Sequence, residues 1–302
     1  LSITTTAAAS ANNSELSGHY AFLFNGFDDA TGSPVAVAGS FTADGNGKIT
    51  AGIEDANGQT GAAFGVPFTG TYNIASDNRG AFTLTTASGS KTYALVLNSI
   101  NSGIAQRARF VAFDDTTGNS GQRGSGIMRL QDATAFSIGK LTGPYAFGFQ
   151  GQEAAGMREA MVGSFNADGA GTISTGIADE NVGGTATNPT LSGSYTAPSA
   201  TNGRATMNLV PSSSSTLNLS AYVVSANELL VMTMNAFSSD GLVSGTILSQ
   251  TSASFDNSAF NAPVVYYQVG ITLSGPSLAE VGLLKPDGGG NLTSEFDVST
   301  GG

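Results

Sequence analysis

The chain of 302 residues has no cysteine, no tryptophan and one histidine, His19. Without thiols there are no disulfides and no thiolate metal sites, and a lone imidazole is too little for a typical zinc or copper centre. Charge is scarce as well, at 11% of residues against about a quarter in an average soluble domain. What charge there is leans one way, 11 basic against 22 acidic residues for a net −11, which repels nucleic acid and anionic lipid and argues against both as partners. No apolar run approaches the ~20 residues that a membrane-spanning helix needs, so membrane insertion by a helix is not expected. Also missing are a P-loop, a G-x-G-x-x-G turn following a strand and a G-x-S-x-G nucleophile elbow. His19 therefore has no activated serine to serve, and the expectation is a strand residue near the surface rather than a catalytic base.

In place of these features the chain is rich in glycine, 41 residues, and in Ser, Thr, Ala and Asn. Val, Ile, Leu, Phe and Tyr recur between them in short runs of period two, the pattern of an all-β protein. The sequence also repeats itself at about 120–125 residues, which decides the architecture before any local reading. "LSGHYAFLFNGF" from Leu16 matches "LTGPYAFGFQG" from Leu141, and "GSFTADGNGKITAGI" from Gly39 matches "GSFNADGAGTISTGI" from Gly163. In the first copy eight strand-like runs fall at 19–27, 34–43, 47–55, 66–75, 80–87, 91–99, 104–113 and 124–131. Short turns and the absence of a helical period predict tandem antiparallel eight-stranded meander barrels, with β-sandwiches as the alternative. The expected organisation is an extended segment at 1–15, β-repeat 1 at 16–132, a linker at 133–140, β-repeat 2 at 141–251, a linker at 252–261 and a partial β-repeat 3 at 262–302. Tyr20, Phe22 and Phe24 share one face of the first strand, as do Tyr145, Phe147 and Phe149 in the second copy, and are expected to fill the barrels.

The stretch "ADGNGKI" superficially suits an EF-hand calcium loop, and the related "ADGAGTI" and "PDGGGNL" occur further on. With Gly47 at the sixth loop position, Thr42 and Ile53 occupy the first and twelfth, where carboxylates are required. In the second copy Asn166 and Ile177 stand there, and in the third Lys285 takes the first position. What the three share is Asp-Gly-x-Gly between alternating apolar runs, a tight hairpin turn that needs positive φ at Gly45 and Gly47 and again at Gly169 and Gly171.

The combination GxYAFxFxG, GSFxADGxGxIxxGIxDxN, SGxY and SGxI resembles the glycine-rich tandem β-repeats of bacterial secreted and surface proteins, over nearly the whole chain. That resemblance implies an extracellular or cell-surface location and brings no activity with it. In outline the eight-strand meander is similar to avidin and lipocalin barrels too, but their motifs are missing and no ligand carries over.

Two features bear on function. In an up-and-down meander the first–second, third–fourth and seventh–eighth strand connections share one rim. This is expected to gather Asp28 and Asp29, Glu54, Asp55 and Asn57, and Asp114 and Asp115. A candidate hard-oxygen calcium site is therefore Asp28, Asp29, Asp55, Asp114 and Asp115, set against solvated turn carboxylates, and no other cofactor is expected. The second feature is the third repeat, in which only three strands are readable. It is expected either to continue in further chain or to be completed by another molecule, and the opening at Leu1 without methionine suggests a processed or partial product. The segment "LSITTT", with Leu1 and Ile3 as anchors, is an extended stretch that could pair with the open edge by strand complementation. Small neutral faces such as Ala36, Ala38, Ser40 and Thr42 suit close packing. The functional expectation is a non-catalytic structural protein that polymerises head-to-tail with itself into a surface filament, tube or layer. The alternative is a secreted module that holds a small ligand or glycan in the barrel or on the acidic rim.

Overall fold

A computed structural model of the chain describes residues 11–113, 121–212, 215–251, 255–271 and 277–301. They form two compact units, residues 1–249 and 250–302.

In the first unit the runs of period two become β1 (Ser17–Asp28), β2 (Pro34–Asp44), β3 (Lys48–Gly58), β4 (Gly61–Ile74), β5 (Arg79–Thr86), β6 (Gly89–Asn101), β7 (Ile104–Ala112) and β8 (Gln122–Leu130). Each pairs antiparallel with the next, and β8 returns to β1, with Tyr20 opposite Leu130 and Phe22 opposite Met128, so the sheet closes into a barrel. The second repeat comprises β9 (Thr142–Gln152), β10 (Arg158–Asp168), β11 (Thr172–Val182), β12 (Thr185–Thr187), β13 (Thr190–Tyr195), β14 (Arg204–Pro211), β15 (Leu217–Ser225), β16 (Glu228–Thr233) and β17 (Leu242–Ser249). Here β17 pairs with β9 and β10 with β11, which closes eight strands and leaves the short β12 as an extra pairing on β11.

Both barrels are filled. Tyr20, Phe22 and Phe24 point inward and meet Phe41, Phe68, Phe82, Tyr93 and Phe110, all buried. Tyr145, Phe147, Phe149 and Phe165 do the same in the second barrel. Glycine makes room for the rings: a Cβ on Gly39 would lie 2.5 Å from the Phe22 ring, and one on Gly163 would lie 2.6 Å from that of Phe147. One end of each barrel is tied by tyrosine hydroxyls. Tyr72 donates to the Leu16 carbonyl and Tyr195 to that of Leu141, each at 2.7 Å, while Tyr20 and Tyr145 donate to the carbonyls of Ala105 and Ala226 at 2.8 Å. The same two bonds in each copy show that the repeat is structural down to single hydroxyls.

The Asp-Gly-x-Gly turns are hairpins. Gly45 and Gly47 have φ of 76° and 98°, Gly169 and Gly171 of 75° and 112°, and Gly288 and Gly290 of 71° and 99°, a region that costs an L-residue Cβ strain. The aspartate locks the turn from within. Asp44 Oδ1 accepts the backbone N–H groups of Asn46 and Lys48 at 2.7 and 2.9 Å, Asp168 those of Ala170 and Thr172, and Asp287 those of Gly289 and Asn291. Those donors hold Asp44 and Asp168 below the usual carboxylate range, Asp168 down to about 2, and Asp287 is lowered first by the Asn291 side chain and then by its backbone donors.

The two barrels are not stacked end to end as independent units. They pack through their outer faces: Ala21, Leu23, Ala36 and Ala38 of β1 and β2 are buried against Tyr222, Val224, Leu230 and Met232 of β15 and β16. The residues at 133–140, expected as a linker, make two 3-10 turns, and Ala135 and Phe136 are buried in the second barrel's core.

In the second unit β18 (Val264–Ile271), β19 (Ser277–Pro286) and β20 (Leu292–Thr300) form an antiparallel three-stranded sheet. A 3-10 turn, Asn257–Ala259, lies within the stretch expected as a linker. The sheet keeps the repeat's register: Tyr266 stands opposite Gly282 as Phe22 stands opposite Gly39 and Phe147 opposite Gly163.

Candidate functional site

The expected acidic rim dissolves into three separate settings. Asp28 accepts the backbone N–H and the hydroxyl of Thr31, both at 3.0 Å, and so caps its own turn. Asp29 is ion-paired with Arg123 at 2.7 Å. Asp114 and Asp115 lie outside the described residues, as do Leu1 and Ile3. Asp55 corrects the reading most plainly. Strand β3 runs on through Gly58, so Glu54, Asp55 and Asn57 are strand residues rather than loop residues. Alternation then turns Glu54 into the barrel and Asp55 and Asn57 outward to the second barrel. Asp55 is fully buried and takes both Nε and Nη2 of Arg204 at 2.8 Å, the Tyr222 hydroxyl at 2.7 Å and the Gly65 N–H at 2.7 Å. A carboxylate held by four donors, three of them from across the seam, serves the structure. Among the described residues no group of three or more His, Cys, Asp or Glu side chains is placed to hold a metal ion.

Around Asp55 the seam is polar and closely matched. Asn57 donates to the carbonyls of Thr233 and Asn235 at 2.9 and 2.8 Å, Ser40 to that of Asn202 at 2.8 Å, and Gln131 to that of Val223 at 2.6 Å. Arg129 of β8 pairs with Glu228 of β16 at 3.1 Å. His19 sits on the outer face of β1 with Nδ1 3.1 Å from the Thr42 hydroxyl. It borders a cleft of about 100 Å³ with Ser40, Thr42, Gln131 and Asn202. The faces expected to pack against other molecules thus pack within this one. Arg204 and Tyr222 were missed because an isolated arginine and an outward tyrosine carry no sequence motif.

Sequence reasoning also missed the carboxyls inside the barrels, having assigned the acidic residues to turns. In the first barrel Glu54 is buried; its burial raises the pKa and the Lys91 charge opposes the rise. In the second, Glu159 of β10 and Glu180 of β11 both point inward on neighbouring strands, Met161 standing opposite Glu180 and Val182 opposite Glu159. Burial first, and then the Glu180 and Glu153 charges, push Glu159 up to about 7. A carboxyl in this state is about half protonated near neutral pH, and its protonated form can donate a proton or a hydrogen bond. The stability consequence has a definite sign. The native state binds more protons here than the unfolded chain, so this contribution is fully present below the ordinary carboxyl range and is lost as pH rises through about 7. We expect Glu159→Gln to abolish a loss of about 2–3 kcal/mol between pH 5 and pH 8, at ~1.4 kcal/mol per unit. Urea unfolding at the two pH values measures it, and an equal pH dependence in wild type and variant would refute it.

The third repeat carries a different kind of surface. One face of its sheet presents Val265, Tyr267, Val269 and Val281 at 51–75% exposure, and the other presents Phe296 and Val298 at 53–55%. In both closed barrels the first strand of the repeat pairs with the last, β1 with β8 and β9 with β17. Its counterpart β18 pairs with β19 alone among the described residues.

No family model and no curated protein matches the chain. Among solved structures it is similar to kievitone hydratase from Nectria haematococca, at 10% identity and a TM-score of 0.28, over 82% of this chain and 95% of that one. The expectation of a chain without catalytic activity finds no support in this comparison, in which the similar protein bears the name of an enzyme. At that identity and TM-score the likeness transfers no residue, substrate or reaction.

Proposed function

We propose that the protein is a modular building block of an extracellular assembly, joined to further copies of itself through its third repeat. The observation that carries this reading is the open sheet β18–β20, which repeats the opening strands of two closed barrels yet leaves large apolar side chains exposed on both faces. Such surface is costly in water and marks an interaction site. The occupant we assign to the β18 edge is the segment 1–6 of a second copy. Added as an extended strand, the segment would put Leu1 and Ile3 on one face, supply main-chain hydrogen bonds along the edge and bury alternate side chains. Donor and acceptor are different surfaces, so the contact is heterologous and propagates unless its rotation closes a ring.

A ligand in the barrel finds no support in this geometry, because Tyr20, Phe22 and Tyr72, which would line an open cavity, are at most 5% exposed in a filled core. Light scattering and electron microscopy of the protein with and without residues 1–10 test the proposal. Polymers from the full chain and folded, non-polymerising protein after the deletion are the expected pair of results. Polymers unchanged by the deletion would contradict the assignment and point to completion of the third repeat by other strands.

A further inference from the structure

In a chain of net charge −11 with 11 basic residues, three of those cations sit together. Arg107 of β7 stands directly opposite Arg129 of β8, and Arg109 lies two residues along on the same outward face, opposite Ile127. Like charges directly opposite across a strand pair are destabilising, so this register carries a cost unless an anion offsets it. Glu228 answers Arg129 alone, at 3.1 Å. Arg107 and Arg109 are exposed and make no ion pair with a carboxylate among the described residues. The other neighbours of the pair on β6 are Asn98, opposite Arg107, and Val96, opposite Arg109, which add no negative charge. Two unanswered guanidinium forks on a rigid sheet, backed by a third cation that is already oriented, form a surface suited to an oxyanion. The planar fork matches the oxygen pairs of carboxylate, phosphate or sulfate.

We propose that Arg107 and Arg109, backed by Arg129, bind an oxyanion group on the outer face of β7 and β8, either as a free ion or as the repeated anionic group of an acidic polysaccharide. The site is independent of the third repeat and of self-assembly, so it stands or falls separately from them. The probes are sodium sulfate against sodium chloride at matched ionic strength, and then dextran sulfate and polygalacturonate by calorimetry. Sulfate is expected to raise the melting temperature of the wild type by about 2–3 °C beyond chloride. In R107Q/R109Q that increment should vanish, while in chloride the variant should melt no lower than wild type because the cross-strand repulsion is relieved. R107K/R109K keeps the charge but not the fork, and should retain less than half of the sulfate increment. Binding of dextran sulfate alone assigns a sulfated polymer, binding of polygalacturonate alone assigns a carboxylated one, and a response to the free ion alone supports a small-anion site. A sulfate effect no larger than that of chloride, or one undiminished in R107Q/R109Q, would overturn the proposal.

Discussion

Arg204→Ala is expected to destabilise the two-barrel unit by about 3–5 kcal/mol, the cost of leaving a buried carboxylate without its counter-ion. Asp55 is fully buried, and the two guanidinium hydrogen bonds at 2.8 Å are its ionic partners. The Tyr222 hydroxyl and the Gly65 N–H that remain are neutral donors and do not replace the charge. Arg204→Lys keeps the charge but loses the fork, so an intermediate cost is expected. Removing both partners in D55A/R204A should cost less than Arg204→Ala alone, because no charge is then stranded. The tyrosines of both barrels report unfolding in the absence of tryptophan, and in Arg204→Ala the transition should broaden or split as the barrels uncouple. A cost below about 1 kcal/mol would mean that the Asp55–Arg204 pair contributes little and that the seam is held by its other contacts.

Phe110→Ala should have an effect of the same size on the first barrel, about 3–5 kcal/mol. The ring is the hub of that core, with centroids 5.3 Å from Phe82 and Tyr93 and 6.2 Å from Phe22 and Phe24. It lies over Gly126, where an added Cβ would come 2.1 Å from it. Nothing nearby can collapse into the space, because the surrounding rings are themselves held in a closed barrel. In the second barrel Val231, which stands opposite Gly245 as Phe110 stands opposite Gly126, occupies the corresponding place. Val231→Ala removes far less apolar volume and should cost roughly 2 kcal/mol. Thermal or urea unfolding of the two variants gives the comparison, and equal effects would show that the first barrel is not centred on Phe110.

Much of the architecture can be read from the residues. Glycine and Asx clusters mark the turns of repeat 1, and the alternation of Tyr20, Phe22 and Phe24 places the core on the correct face. The main boundary missed is the start of β4, at Gly61 rather than 66, because Gly58 pairs with Gly61 and extends the hairpin through residues that resemble loop. That extension also undid the expected rim. Acidic residues favour turns, and Glu54, Asp55 and Asn57 were assigned to one when they continue the strand. The seam left a signal that can be recognised once its meaning is known. The runs "LSAYVVS" and "ELLVMT" of β15 and β16 are apolar on both faces, as strands buried on both sides must be, where the outer strands of the first barrel alternate. Which outward face they meet is a matter of tertiary pairing, and no local pattern encodes it. Asp55 and its counterpart Asp179 illustrate the difficulty: equivalent in the repeat, one is sealed against Arg204 and the other is exposed and bonded to Asn188.

Self-assembly through the third repeat can be tested most directly by cysteine pairing, since the native chain has no cysteine to confuse the result. Ile3→Cys would be combined in turn with Tyr266→Cys and with Gln268→Cys, two positions on the side of β18 that corresponds to the barrel interior. If segment 1–6 of one molecule lies along β18 of the next, mild oxidation gives intermolecular disulfides and a ladder of covalent multimers, with one of the two pairings clearly preferred. Each single-cysteine variant would then give no more than a dimer. Oxidised double variants that remain monomeric at concentrations where the protein polymerises would contradict the assignment of that segment to that edge.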